Sequence, residues 1–194
     1  MNQPIQGQQD PETNNQIEYH VREILKLLTI TNEEVLRETP RRFRKTLQNR
    51  TASNRQELDK NVLKTFEMEN PGIVIVKDVE VNSICEHHLM PFFGTASVAY
   101  LPKKEVLGLS KVARIVNYCC KKENLQERLT EEIMKTINNA VDNDGICVLV
   151  KCKHFCMILN DEIKSKGETI TIVKTGKFKE DDKLFKEFQD SLKL

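Results

Sequence analysis

Two short segments hold the residues of this chain best suited to metal chemistry, Cys85-Glu86-His87-His88 and His154-Phe155-Cys156. Three of the four histidines lie in them. Cys85 and His88 are spaced C-x-x-H, and Cys156 is a third soft donor from far along the chain. Two thiolates and an imidazole are zinc ligands, and three protein ligands leave one tetrahedral position for water, the layout of a catalytic site. Zinc lowers the pKa of bound water to about 7, which supplies a nucleophile at neutral pH. His87 and His154 adjoin the ligands and can move protons in the same pH range. The spacing also suits thiols that merely pack in a core. A fourth ligand, from Cys147 or Cys152, would make the site structural instead.

Rigid elements must bring these segments together. Residues 1–14 are rich in Gln, Asn and Pro and read as a disordered tail. Ile17, Val21, Ile24, Leu25 and Leu28 recur at helical spacing. Thr39-Pro40 reads as the start of a second helix, with Thr as N-cap and Pro in the first position. Arg41, Arg42, Arg44 and Lys45 follow on it, as a solvated basic face or an anion contact. A third helical stretch is expected over residues 55–66, and Pro71-Gly72 marks a turn. Residues 73–84 and 91–101 read as strands, the second ending in the charged turn Leu101-Pro102-Lys103-Lys104. Ser110 can cap a helix carrying Val112, Ile115, Val116 and Cys119. Asn124 and Glu127 have capping-box spacing ahead of Leu129, Ile133 and Ile137.

Residues 145–152 and 169–174 read as two more strands, and 180–194 as a charged terminal helix. If the first of these strands runs on to Cys156, Cys152, His154 and Cys156 share one face. Strands in adjacent pairs predict an α+β fold with an antiparallel sheet, whose edges need cover from another element or subunit. The expected organisation is a tail over 1–14, an N-terminal helical region over 15–70, a catalytic domain over 71–180 and a terminal helix over 181–194.

Composition narrows the function classes. Of 194 residues, 39% are hydrophobic and 30% charged, which suits a globular protein with a large charged surface. A net charge of +1 supplies no basic field for nucleic acid, and there is no Trp. No apolar run approaches the ~20 residues that span a bilayer. The polar N-terminus has no apolar signal core, so the six cysteines read as thiols and ligands, and a cytoplasmic location is expected.

Four blocks, in order, resemble the GTP cyclohydrolase I family: Cys85-Glu86-His87-His88-Leu89-Met90-Pro91-Phe92, Gly108-Leu109-Ser110-Lys111-Val112-Ala113-Arg114-Ile115-Val116, Gln126-Glu127-Arg128-Leu129-Thr130 and His154-Phe155-Cys156-Met157. The resemblance covers about residues 17 to 180. It implies a tunnelling fold, a four-stranded antiparallel sheet with two helices on one face, behind an N-terminal helical segment. It also implies a homodecamer of two pentameric rings with active sites at subunit interfaces. The implied reaction hydrolyses GTP at C8, releases formate and yields 7,8-dihydroneopterin triphosphate. Carried over by motif, Cys85, His88 and Cys156 hold Zn2+, whose activated water attacks C8. His87 protonates the imidazole ring nitrogen, His154 serves as acid and base at the ribose, and Ser110 assists later proton transfers. Glu127, with Gln126 beside it, receives the guanine edge, as suits an acceptor-only carboxylate. Lys111, Arg114 and Arg42 face the triphosphate.

The chain also departs from the family pattern. The family places an Arg-Gly pair four residues after the second zinc cysteine, where this chain has Asn160-Asp161. A guanidinium forks onto phosphate oxygens with charge-assisted bonds, which Asn cannot replace. The loss is worth on the order of 2–4 kcal/mol. Ile172-Val173 also replaces expected hydroxyl residues. Lys164 or Lys166 could compensate. The alternatives are a cyclohydrolase for a nucleotide with fewer phosphates, or a non-catalytic relative that binds a ligand or partner.

Overall fold

The structure, a computed structural model, describes residues 10–160 and 167–193. The chain divides into two compact units, one ending at Glu57 and the other beginning at Leu58.

The first unit is a pair of helices, α1 (Pro11–Leu27) and α2 (Glu33–Arg50). Asp10 caps α1 by accepting from the Thr13 N–H, so residues 11–14 belong to this helix and not to a tail. Residues 1–9 lie outside the described residues. The expected start of α2 at Thr39-Pro40 is corrected. Asn32 is the cap, its Oδ1 accepting from Glu34 N at 3.0 Å and Val35 N at 3.2 Å, and Pro40 lies inside the helix. An internal proline leaves the carbonyl four residues earlier without its helical donor. That carbonyl, Leu36 O, accepts instead from Arg22 Nε of α1 at 3.1 Å. Arg44 binds Glu18 at 2.7 Å and Asn14 at 3.0 Å, so part of the basic run joins the two helices.

The second unit is built on one sheet. After a 3-10 turn at Lys60–Leu63, β1 (Thr65–Glu67) pairs with β4 (Glu105–Leu107), which replaces the helix expected over 55–66. The sheet proper contains β2 (Val74–Cys85), β3 (Pro91–Pro102), β6 (Asn143–His154) and β7 (Thr169–Lys174), all antiparallel. A fifth strand, the two-residue β5 (Glu123–Asn124), lies parallel to β2, giving the order β5-β2-β3-β6-β7. The architecture is thus the expected α+β fold with one short strand more than the four expected.

Helices α3 (Leu109–Cys120) and α4 (Gln126–Ala140) cover one face. Val112, Ile115, Val116, Leu129, Ile133 and Ile137 form one buried cluster with Ala96, Val98, Val148 and Val150 of the sheet. Each such aliphatic side chain contributes roughly 1.5–3 kcal/mol through burial. On the other face, α6 (Lys177–Glu180) and α7 (Asp182–Ser191) place Phe178 and Phe188 against Ala99 and Cys147. The terminal helix therefore comes in two pieces and begins before residue 180.

Both expected side-chain caps are corrected. Gly108 is the N-cap of α3, and Ser110 is its second residue, exposed. Leu125 occupies the N-cap of α4. Asn124 is buried, and its Nδ2 faces Ser83 Oγ at 3.0 Å, Cys119 O at 3.0 Å and Lys122 O at 3.1 Å. Those bonds hold the side chain against β2 and the end of α3, and its Oδ1, the atom a cap would use, accepts no hydrogen bond from α4 among the described residues.

Gly94 of β3 lies opposite Cys152 of β6. A Cβ at Gly94 would overlap the Lys151 carbonyl oxygen and come within 2.7 Å of Cys152 Cα. Backbone cannot yield as a side-chain tip can, so Gly94→Ala is expected to cost about 3 kcal/mol, or ~6–12 °C in melting temperature. An unchanged thermal melt would contradict this close approach of the two strands.

Candidate metal centre and active site

The β2–β3 connection folds Cys85 and His88 onto each other. Cys85 N–H donates to Met90 O at 2.8 Å, and Leu89 N–H to Cys85 O at 2.8 Å. Leu89 takes φ +52°, an uncommon conformation for a branched side chain, and thereby reverses the chain. Two contacts tie this turn to α4 and β5. Glu86 N–H donates to Asn124 O at 3.2 Å, and Arg128 Nη1 pairs with the Glu86 carboxylate at 2.7 Å. Cys85 Sγ then lies 4.0 Å from His88 Nδ1.

Cys156 arrives from the other side of the sheet order, but not along a strand. β6 ends at His154, and Phe155–Ile158 forms a single helical turn, α5, closed by Leu159 N–H to Phe155 O at 2.9 Å. Phe155 packs against Phe93 with ring centroids 5.6 Å apart. Cys156 therefore does not share a strand face with Cys152. The turn instead brings the ligand atoms of Cys85, His88 and Cys156 within 4.8 Å of one another. Tetrahedral zinc holds sulfur at 2.3 Å and nitrogen at about 2.1 Å, which places such a pair about 3.6 Å apart. The 4.0 Å Cys85–His88 separation is within a few tenths of this value. Burial and the adjacent Cys85 thiol push the Cys156 thiol pKa up. Two facing thiols resist joint ionisation, and a divalent cation relieves that cost. The donor set, its spacing and its electrostatics fit zinc.

Neither proposed fourth ligand joins the group. Cys147 lies in the Phe178–Phe188 cluster, and Cys152 is in the main core. Burial pushes both thiols up to about 12, so they stay protonated and inert.

His154 closes β6 opposite Phe92 of β3, and the two rings stack at 4.5 Å with a 9° tilt. Its Nε2 lies 2.8 Å from Gln126 Oε1, at the first position of α4. Burial pushes its pKa down, and the nearby Glu127 carboxylate opposes that shift. The structure thus brings Gln126, Glu127 and His154 together, with His154 two residues from the ligand Cys156. Glu127 is exposed in the first turn of α4, where the helix dipole favours an anion.

His87 is exposed in the metal turn, its ring edge-on to His88 at 6.2 Å and its Nε2 3.9 Å from Glu86. On α3, Ser110 and Arg114 are exposed, and Lys111 Nζ donates to Asn61 O at 2.9 Å. Among the described residues no hydrogen bond joins these three to the metal cluster. Arg42 is exposed on α2 in the first unit. Asn160 follows α5 and is half-buried, whereas Asp161, Lys164 and Lys166 lie outside the described residues. Sequence reasoning missed the Glu86–Arg128 tie and the partners of the Gln126 amide. The first joins residues far apart in sequence, and nothing local signals it.

Comparison with known proteins places the chain in a family. The GTP cyclohydrolase I family profile matches residues 17–193. GTP cyclohydrolase 1 of Coxiella burnetii (strain Dugway 5J108-111) is 40% identical over 176 residues, covering 90% of this chain and 96% of the relative. That of Caldanaerobacter subterraneus subsp. tengcongensis is 43% identical over 166 residues, covering 84% and 88%. Among solved structures, the apo archaeosine synthase QueF-Like aligns with 56% of this chain and 97% of its own, at 22% identity and a TM-score of 0.46. A profile match over nearly the whole length, with relatives this similar, means that the chain belongs to the GTP cyclohydrolase I family.

Proposed function

We infer that this protein is a GTP cyclohydrolase I, hydrolysing GTP to formate and 7,8-dihydroneopterin triphosphate at the head of folate or tetrahydrobiopterin synthesis. The observation that carries the reading is the convergence of Cys85, His88 and Cys156, two residues from a histidine held by Gln126. Relatives of that name, 38 to 43% identical over most of the chain, favour neither a different nucleotide nor a non-catalytic role.

In this reading Cys85, His88 and Cys156 hold zinc, which supplies the Lewis acid that activates water at neutral pH. His87, exposed beside the ligands, reaches into solvent and donates a proton to the purine ring nitrogen as the ring opens. His154 accepts and returns protons at the ribose, and the Ser110 hydroxyl relays later ones. Glu127 accepts hydrogen bonds from the guanine N–H groups. Lys111, Arg114 and Arg42 supply positive charge for the triphosphate. Ring assembly into a homodecamer is proposed on the resemblance. It is consistent with Ile170 and Ile172, which are 55% and 43% exposed on the edge strand β7. Among the described residues no helix is long and apolar enough to cross a membrane, and a cytoplasmic location is proposed.

The test is formate release from GTP by the purified, zinc-loaded protein. Release at an ordinary rate supports the reading, and none from an intact zinc-bound oligomer overturns it. Asn160 makes a second measurement informative. Restoring a guanidinium with Asn160→Arg is expected to lower the GTP half-saturation constant about 10-fold or more. No change would show that another group already holds the triphosphate.

A further inference from the structure

Gln126 is 2% exposed, and every polar atom of its side chain is committed. Nε2 lies 3.1 Å from Val150 O, 3.0 Å from Thr169 O and 3.1 Å from Thr171 Oγ1. Two of these neighbours are main-chain carbonyls, which only accept, so the amide cannot be turned around. A flipped Gln126 would set its oxygen against two carbonyl oxygens in a buried site. The surrounding hydroxyl protons are accounted for as well. Thr130 Oγ1 donates to Gln126 O at 2.7 Å, so the 2.6 Å contact between Thr130 and Thr171 takes its proton from Thr171. Thr171 Oγ1 then meets Gln126 as an acceptor. Oε1 is left facing His154 Nε2 at 2.8 Å, and an amide oxygen can only accept. A bare Nε2 would oppose two lone pairs across that distance.

We propose that Gln126 is a positioning residue for His154. Its Oε1 holds the imidazole in the Nε2–H form, so that Nδ1 is the atom that takes and returns protons in the reaction. The catalytic part of this inference rests on the cyclohydrolase reading, whereas the tautomer does not. Phe92 sets the plane of the ring, and Gln126 sets its rotation within that plane. The amide spans α4, β6 and β7, so the geometry of His154 depends on the packing of all three. Gln126 is thus withdrawn from the guanine edge, and Glu127 alone of the pair is left to read the base.

The first experiment is nitrogen NMR of the zinc-loaded protein with labelled histidines, at alkaline pH where imidazoles are neutral. The His154 signals are assigned by their loss in His154→Gln. A protonated Nε2 with a bare Nδ1 is expected, and an Nδ1–H form of His154 overturns the proposal. This readout needs neither turnover nor a Gln126 variant. The second experiment is Gln126→Met, which keeps the length of the side chain and removes its hydrogen bonds. Its kcat is expected to fall about 10–100-fold, taking the range known for partners that orient metal-bound imidazoles as the guide, with the GTP half-saturation constant within about two-fold. A raised half-saturation constant at unchanged kcat would mark a direct contact with the base and overturn the proposal. Absence of formate release by the parent protein would sink the cyclohydrolase reading and leave the tautomer result standing.

Discussion

Cys156→Ala is expected to lose its zinc and, with it, formate release from GTP. Removing one of three ligands from a site with an open position leaves two donors, fewer than any ordinary catalytic zinc site uses. Even an outer partner of a metal ligand is typically worth 10–100-fold in metal affinity or activity. The fall in activity is therefore expected to reach on the order of 10³-fold or more. Fold and assembly are expected to survive. Cys156 is half-buried on a single helical turn at the rim of the sheet, not in the packed interior. Cys152, four residues earlier, is buried in the main core and offers the contrast. Cys152→Ala should keep zinc and activity while lowering the melting temperature, because it deletes a core thiol outside the ligand set. Zinc content by metal analysis, activity and thermal melts on both variants separate the two roles. Retained zinc and turnover in Cys156→Ala would sink the assignment of the site.

His154→Ala is expected to lower kcat about 10²–10⁴-fold, the range for a general acid–base group, while zinc stays bound. His154 is not in the ligand group, so metal content serves as the internal control. The substitution also has a structural consequence. It removes the donor to Gln126 Oε1 and the ring stacked on Phe92. A buried acceptor left without its partner costs about 1–3 kcal/mol. A modest drop in melting temperature is therefore expected beside the catalytic loss. His154→Gln supplies an N–H donor but no second ring nitrogen. It should recover stability without recovering kcat. Full kcat in either variant would exclude His154 from proton transfer and move that task to His87.

Sheet, helices and ligand identities are largely readable along the chain. The β-branched runs at 74–76 and 146–150 and the 3.6-residue periodicity of 112–119 and 129–137 are local properties. They reappear as β2, β6, α3 and α4. The caps were not readable in the same way. Thr39-Pro40, Ser110 and Asn124-Glu127 each carry the composition of a helix start, yet none of them caps a helix. Local rules describe a proline or an asparagine with only its neighbours in sequence. In the first unit Arg22 supplies the donor that Pro40 lacks, and in the second the Asn124 amide donates to Ser83 and Cys119, which turns its Oδ1 away from the start of α4. Each outcome depends on a partner brought from elsewhere in the fold.

The same division runs through the site. That Cys85, His88 and Cys156 can ligate zinc, and that His87 and His154 carry imidazoles able to move protons, follows from side-chain chemistry and from a three-residue spacing. Those facts hold in the unfolded chain too. How Cys156 reaches the others does not follow from the sequence pattern, since alternation along β6 predicted a shared strand face and the chain instead turns helically at Phe155. Nor does the direction of the Gln126 amide, which is settled by carbonyls of β6 and β7. Hydrogen-bond direction is a property of several chain segments at once, so it exists only after the sheet and α4 have packed together.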